Sequence, residues 1–244
     1  WGRHSPFVSI PMSLIWASAC FAMGFFTTNL SFEMSAASFV ETIKAAEPIT
    51  SAAVAVAWGI ERLSAPEVLS LATIIFGVIL STLTGGQTKI PNGSGVNTYQ
   101  TCSLIMVANL SFSFRGLHQK KLRGSLEGNT LDDVNLQYRM QQLGLLFMVV
   151  PSLFLLPQTA SRIWNVPGGL FENWAVAMNY IGLSLLNGLA FSSYNLASTY
   201  ILTRISVVHH AALNCIRRIF AVVVTSLMFA VPITFLGMMG IMIS

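Results

Sequence analysis

Charged residues are scarce in this sequence. Only 9% of its 244 residues are Asp, Glu, Lys or Arg, whereas soluble domains average about a quarter. The hydrophobic share is 54%. So few charges cannot cover a folded chain with a hydrated surface, and the excess apolar area must therefore face lipid. This shortage excludes a soluble globular domain and predicts an all-α integral membrane protein that sits in a lipid bilayer.

Cysteine and concentrated charge are also in short supply. The three cysteines, Cys20, Cys102 and Cys215, lie far apart in apolar runs. They have no metal-binding spacing, and their odd number argues against a disulfide framework. His209 and His210 have no carboxylate near them in the sequence, so we predict no metal and no cofactor. The net charge of +4 is small and scattered, which argues against nucleic-acid binding. No nucleophile–base pair is recognisable, so we predict that the protein is not an enzyme.

Long apolar segments are what the sequence does contain. A membrane-spanning helix needs about 20 mostly apolar residues. By this criterion we predict about eight transmembrane helices, at residues 6–30, 38–59, 66–84, 98–117, 137–157, 173–203, 206–229 and 231–244. The longest polar stretch between them is 118–136. The sequence opens without an initiator methionine and its last segment is short, so we expect it to be part of a longer protein.

The basic residues of the connections predict an orientation. Alternating the connections between two sides puts only Lys89 and Arg162 on one side. The other side collects Arg3, Arg62, Lys120, Lys121, Arg123, Arg139 and Arg204. Since basic residues favour the cytosolic side of a membrane, both termini are expected on the cytosolic side, or on the equivalent stromal side of a plastid membrane.

A few charges lie inside the apolar segments, where each costs about 2.5–3.5 kcal/mol on insertion scales. The second segment carries Glu41, Lys44 and Glu47, and the seventh carries Arg217 and Arg218. In one interpretation the arginines pair with the two glutamates, or the glutamates neutralise Lys44 from positions i−3 and i+3 of one helix. In the other interpretation, the three cations outnumber the two glutamates, and the excess positive charge binds an anionic substrate. The planar guanidinium group of arginine can donate two hydrogen bonds to the oxygens of one phosphate.

Several motifs resemble those of the plastid triose-phosphate and sugar-phosphate translocators, a family of the drug/metabolite transporter superfamily. Residues 38–48, SFVETIKAAEP, are similar to the family stretch SFTHxxKAxEP. The other similar stretches are GIER at 59–62, NLSFSFR at 109–115 followed by Lys120 and Lys121, Tyr194-Asn195, Arg204, and NCIRR at 214–218. The resemblance covers almost the whole chain in order.

The resemblance implies a fold and a function. The family has ten helices in two inverted five-helix halves. Here residues 1–97 would form a first half without its first two helices, and residues 98–244 a second half with a truncated last helix. The implied activity is exchange of a phosphorylated C3–C6 metabolite, triose phosphate-like, for inorganic phosphate across the plastid inner envelope. The alternatives are a nucleotide-sugar transporter of the Golgi or endoplasmic reticulum and a truncated paralogue that does not transport.

The resemblance also implies a substrate site. Its members would be phosphate-binding cations, a phosphate-contacting tyrosine, a threonine and an aromatic wall, at Lys44, Arg217, Arg218, Tyr194, Thr28 and Phe112. This chain departs from the family at several positions. Arg217 replaces the usual lysine, Phe25 stands where several members carry a histidine, and Val40-Glu41 replace a Thr-His pair. These changes remove polar donors and put the identity of the substrate in question.

Overall fold

A computed structural model describes residues 11–60, 62–85, 98–125, 132–164 and 174–228. These residues form eight α-helices and no strand. They are α1 (Met12–Met34), α2 (Ala37–Lys44), α3 (Glu47–Ala57), α4 (Ala65–Gly85), α5 (Thr98–Arg123), α6 (Asp133–Trp164), α7 (Trp174–Leu202) and α8 (Val207–Met228). The predicted all-helical class is therefore confirmed over the described residues, and the predicted segment 231–244 lies outside them.

Within the described ranges, three helices are long and apolar enough to cross a membrane by length and composition: Met12–Met34, Asp133–Pro157 and Trp174–Leu202. They correspond to the predicted segments 6–30, 137–157 and 173–203. On α7, Leu183, Leu185 and Leu189 expose 66–69% of their surface. Leucines in such numbers are left uncovered where the surrounding medium is itself apolar, as expected of a helix that faces lipid.

The core of the described residues is built on α1. This helix packs most extensively on α5, and then on α6. Three of its buried hydroxyl-bearing residues, Ser18, Thr27 and Ser31, donate to a carbonyl of their own helix. Ser18 Oγ donates to the Leu14 carbonyl at 2.7 Å, and Ser31 Oγ to the Thr27 carbonyl at 2.7 Å. This local bonding satisfies the hydroxyls inside an apolar helix bundle.

An apolar cluster joins the three helices. Its buried members are Leu14, Ala17, Phe21, Leu122, Leu136 and Met140. They come from α1, the end of α5 and the start of α6, so these parts form one packed layer. A second cluster joins α2 to α5 through Phe39, Val40, Ile43 and Ile105. Through these two clusters, α5 holds both α1 and α2 in place.

The prediction of one helix over 38–59 is wrong. The segment is two helices, because α2 ends at Lys44 and α3 begins at Glu47. Pro48 lies in the first turn of α3, where its missing N–H and fixed φ favour the start of a helix. Lys44 and Glu47 therefore belong to two different helices, on either side of the break at Ala45 and Ala46.

The polar stretch 118–136 is also shorter as a connection than predicted. α5 continues to Arg123 instead of ending near 117, and α6 already begins at Asp133. Lys120, Lys121 and Arg123 lie in the last turn of α5, where basic side chains interact favourably with the helix dipole. Helical geometry can thus extend beyond the apolar segment that the sequence marks out.

Asp133 connects three of the helices at one end of the bundle. Its carboxylate accepts hydrogen bonds from Arg123 at the end of α5 and, at 3.2 Å, from Arg204 just after α7. The Arg204 guanidinium also lies 3.5 Å from the centre of the Tyr200 ring. The basic-residue count placed Arg123 and Arg204 on the same side of the membrane, and their shared partner agrees with that assignment.

Candidate functional site

A cavity of about 130 Å³ lies between α1, α2, α3, α5, α7 and α8. Charged and titratable side chains from four of these helices line it: Lys44, Glu47, Arg115, His210 and Arg217. Ionisable groups are rare inside apolar helices and usually mark a binding or conduction path. This cavity is therefore the candidate functional site.

The break between α2 and α3 brings Lys44 and Glu47 to the cavity. Both are buried, with 6% and 7% of their surface exposed. Backbone groups freed where a helix is interrupted need new partners, and Asn109 of α5 provides one by donating from Nδ2 to the Ile43 carbonyl at 3.2 Å. α5 thereby holds the end of α2 where Lys44 faces the cavity.

Serine and threonine hydroxyls hold the start of α3 against α5. Ser113 Oγ lies 2.9 Å from Thr50 Oγ1 and 3.0 Å from Ser51 Oγ, and it also donates to the Asn109 carbonyl. All of these groups are buried, so the hydrogen bonds are protected from water. They fix the first turns of α3, and hence Glu47, next to the part of α5 that carries Phe112 and Arg115.

Aromatic rings hold the cations of the site. The Lys44 ammonium lies 5.5 Å from the centre of the Phe112 ring, and the Arg217 guanidinium 4.5 Å from the centre of the Tyr194 ring. Such contacts stabilise a cation through the negative face of the ring. The Tyr194 hydroxyl donates to Asn214 Oδ1 at 2.9 Å, which orients the ring beneath Arg217.

The structure unites four of the six residues predicted for the site. Lys44, Phe112, Tyr194 and Arg217 line the same cavity although they come from four different helices. α2 and α3 both pack against α8, and this packing brings the second segment to the helix of Arg217. Their individual roles in binding stay predictions.

Thr28 and Arg218 have different outcomes. Thr28 is buried in α1, is not among the described residues that line the cavity, and its Oγ1 has no hydrogen-bond partner within the described part of the chain. The backbone of Arg218 belongs to α8, whereas its side chain lies outside the described residues. The roles expected for both residues stay predictions as well.

Sequence reasoning assigned no role to Arg115, which is 8% exposed and lines the cavity. Its guanidinium lies 4.9 Å from the centre of the Phe21 ring. Its Nε and Nη2 atoms have no hydrogen-bond partner among the described residues, and buried donors of this kind normally have one. Arg115 was missed because α5 was predicted to end near 117. A long side chain so close to a helix end can extend its charged group into water. The observed helix runs on to Arg123, so Arg115 lies well inside it.

His210 was likewise given no role in binding. Its Nε2 lies 2.8 Å from Ser198 Oγ, and both residues line the cavity. Asn195, one turn before Ser198, is fully buried and also lines the cavity. The last turns of α7 and the first turns of α8 thus contribute neutral hydrogen-bonding groups beside the cations.

Apolar helices gathered around a charged internal cavity are the arrangement of a multi-pass membrane transporter. In agreement, residues 5–244 match the Triose-phosphate Transporter family over nearly the whole chain. The chain belongs to this family, which is a family of transporters and not of enzymes.

The relatives it matches are distant. The chain is 30% identical over 218 residues to phosphoenolpyruvate/phosphate translocator 3, chloroplastic, of Oryza sativa subsp. japonica, covering 89% of this chain and 52% of the relative. It is 26% identical over 227 residues to the triose phosphate/phosphate translocator, chloroplastic, of Zea mays, covering 90% and 50%. The translocator of the same name from Solanum tuberosum is 26% identical over 233 residues, covering 91% and 51%. The chain therefore spans about half the length of these relatives.

Proposed function

We propose that this chain contributes the binding site of a secondary transporter that exchanges a phosphorylated C3–C6 metabolite, triose phosphate-like, for inorganic phosphate. The observation that carries the proposal is the meeting of Lys44, Arg115 and Arg217 in one cavity. The names of the three translocators described above support it, because each pairs phosphate with phosphoenolpyruvate or triose phosphate.

The charge of the cavity favours a guest with two negative charges. Three cationic side chains line it, and Glu47 is the carboxylate among the described lining residues. The formal charge of these side chains therefore favours an anion. A phosphate dianion has several acceptor oxygens, and two guanidinium groups and one ammonium can donate to them with charge-assisted hydrogen bonds.

The same charge explains why transport is an exchange. In the empty cavity the cations repel one another, and closing the site removes the water that reaches them through the cavity. Desolvating ions without sufficient counter-charge costs several kcal/mol per ion. A bound phosphate supplies the counter-charge and lets the site close and reopen on the other side. The empty binding site is slow to become accessible from the other side of the membrane. Transport in one direction therefore requires that another substrate is carried back.

Uptake of labelled phosphate into proteoliposomes tests this mechanism. We expect rapid uptake when the vesicles contain phosphate and at least about tenfold slower uptake when they do not, because the loaded protein crosses a lower barrier. Equal uptake by both kinds of vesicle contradicts exchange. Lys44→Ala and Arg217→Ala are expected to abolish uptake, whereas Arg62→Ala, a change at an exposed loop residue, is expected to leave it intact.

We propose the organisation of the family for the whole protein. It has ten helices in two inverted halves, to which this chain contributes residues 1–97 and 98–244. Both chain ends would face the stroma, and the membrane would be the plastid inner envelope, since the relatives are named chloroplastic. Imaging of the tagged protein in cells tests the compartment, and a Golgi or endoplasmic reticulum signal would contradict it.

A further inference from the structure

Two helices, α4 and α8, begin with similar capping arrangements. At the start of α4, the backbone N–H and the hydroxyl of Ser64 both donate to Glu67 Oε2 at 2.7 Å. At the start of α8, the backbone N–H of His209 donates to Ser206 Oγ at 3.1 Å, and Ser206 Oγ also forms a hydrogen bond with His209 Nδ1. In both arrangements, a serine and the residue three positions later bond to each other at a helix start.

The side chains of Glu67 and His209 meet across the two helices. His209 Nε2 lies 3.8 Å from Glu67 Oε1. When the Ser206 hydroxyl donates to Nδ1, a neutral imidazole carries its proton on Nε2, which faces the carboxylate. A protonated imidazole faces the same carboxylate with a full positive charge. We call this pairing of Glu67 with His209 the α4–α8 contact.

The α4–α8 contact joins the two halves proposed for the protein, since Glu67 belongs to the first half and His209 to the second. The loops before the two helices carry Arg62 and Arg204, which the basic-residue count places on the same side of the membrane. The contact therefore lies at the cytosolic or stromal end. Transporters built from inverted repeats expose a central site to one side at a time by moving the repeats against each other. A contact between the halves at one end opposes opening at that end.

Glu67 is the described carboxylate within ion-pair distance of His209. The helices α2, α3, α5 and α7 pack against α8. On them and on α8 itself, the charged or titratable groups that line the cavity are Lys44, Glu47, Arg115, His210 and Arg217. Arg123 binds Asp133, and the remaining charged residues and histidines of the four helices are Glu41, His118, Lys120 and Lys121. The side chain of His209 is 61% exposed, so its ring exchanges protons with water at this end of the bundle.

We infer that the α4–α8 contact is a pH-sensitive closure of the transporter at its cytosolic or stromal end, with His209 as the titrating group. This inference rests on the proposed function and adds a regulation to it. Imidazole changes charge between about pH 5 and 8, whereas a glutamate carboxylate remains ionised over this range. Protonation of His209 turns the contact into an ion pair and strengthens the closure. Exchange is therefore slower at acid pH, and a rise in pH relieves the closure.

Glutamine variants test the closure. Glu67→Gln and His209→Gln each remove a charge from the contact, and glutamine is suited to the third position of a capping box, so both helix starts keep a cap. The measurement is the initial rate of phosphate exchange in proteoliposomes with equal pH on both sides, at pH 5.5 and at pH 7.5. Each variant is compared with the unsubstituted protein at the same pH, so the ionisation of phosphate affects both equally.

We expect the rate of the unsubstituted protein, relative to His209→Gln, to fall about twofold to fivefold from pH 7.5 to pH 5.5, the usual range for an exposed ion pair. The comparison with Glu67→Gln is expected to give the same fall, because either variant removes the ion pair. Arg62→Gln, in the exposed loop before α4, is the control and is expected to keep the pH dependence of the unsubstituted protein. The same pH dependence in the unsubstituted protein and in either glutamine variant overturns the inference.

Thermal unfolding in detergent at pH 5.5 tests the contact without transport. If Glu67 and His209 interact, the double glutamine variant loses less thermal stability than the sum of the two single variants. Additive losses overturn the inference. If the losses are not additive but the exchange rates show no relative pH dependence, the contact is only structural and the inference alone fails. If the unsubstituted protein does not exchange phosphate, the proposed function fails and the closure fails with it, whereas the unfolding result still reports on the contact.

Discussion

Arg115 has the most unusual surroundings of the described cavity residues. It is buried in α5 beside the Phe21 ring, and two of its nitrogen atoms have no hydrogen-bond partner among the described residues. Leaving charged donors unpaired in an apolar interior is costly. A group retained under these conditions is best explained by a partner that arrives with the guest.

We therefore predict that Arg115→Gln slows phosphate exchange by at least about tenfold, because one charge-assisted hydrogen bond to the guest contributes about 1.5–3 kcal/mol. Arg115→Lys keeps the positive charge but cannot donate two parallel hydrogen bonds to one phosphate. We expect its exchange rate to lie between those of Arg115→Gln and the unsubstituted protein. The measurement is initial exchange rate in proteoliposomes, with Arg62→Gln as the exposed control. Full activity of Arg115→Gln would exclude Arg115 from the site.

A second prediction concerns Gly24, which lies against the Phe112 ring. Gly24→Ala forces the ring or the helix to move and is expected to lower stability by about 1–3 kcal/mol, the usual effect of overpacking. Gly182→Ala in α7 is the matched control, since no other described part of the chain lies within 4 Å of its added Cβ, and alanine favours a helix over glycine. Thermal unfolding in detergent measures both. Equal melting temperatures of the two variants would contradict the close contact.

At the scale of elements, the interrupted second segment is the main feature that positions the site. The break lies between Lys44 and Glu47, and Asn109 supports it from α5. Removing the Asn109 amide leaves the Ile43 carbonyl with the Ala46 N–H, at 3.0 Å, and removes one buried hydrogen bond, which contributes about 0.5–1.5 kcal/mol. The loss falls on the end of α2, where Lys44 is carried.

Asn109→Ala is accordingly expected to increase amide hydrogen exchange at residues 43–47 and to slow phosphate exchange, while amides of α6 keep their protection. Asn29→Ala, at an exposed position of α1, serves as the control and is expected to change neither. Mass spectrometry of deuterium uptake locates the effect. Unchanged uptake at 43–47 would show that the break is held by other contacts.

Much of the helical arrangement could be predicted from the sequence, because apolar length determines where a helix can cross lipid. The predicted segments 66–84, 173–203 and 206–229 agree with α4, α7 and α8 over the described residues. The break in the second segment was missed because Ala45 and Ala46 are good helix formers, although Pro48 is a local signal for the start of a new helix. Arg115 was missed because helical geometry continues past the apolar run.

At the scale of the whole molecule, Asp133 fixes which ends of the helices lie together. It joins the end of α5 to the end of α7, so both ends face the same side of the membrane. We predict that single cysteines at Gly124 and Thr203, in a protein lacking its native cysteines, react with an impermeant thiol reagent from the same side.

A cysteine at Lys89, which the basic-residue count places across the membrane, is expected to react only from the opposite side. The measurement is labelling of intact and of permeabilised vesicles. Labelling of positions 124 and 203 from opposite sides would contradict the shared orientation. It would also require Asp133 to lose one of its two arginine partners in the membrane.

The interruption of the second segment has a further electrical consequence. α3 starts at Glu47, beside the cavity, and the amino end of a helix carries the equivalent of about half a positive charge. Glu47 lies in that first turn, so part of its negative charge is offset by the peptide dipoles of α3. A straight helix through this region would have its dipole ends at the membrane surfaces and could not exert this effect. The carboxyl end of α2 lies at the same break and carries the opposite partial charge beside Lys44. The two helix ends therefore offset the charges of both buried side chains, and this lets an ammonium and a carboxylate be buried three residues apart.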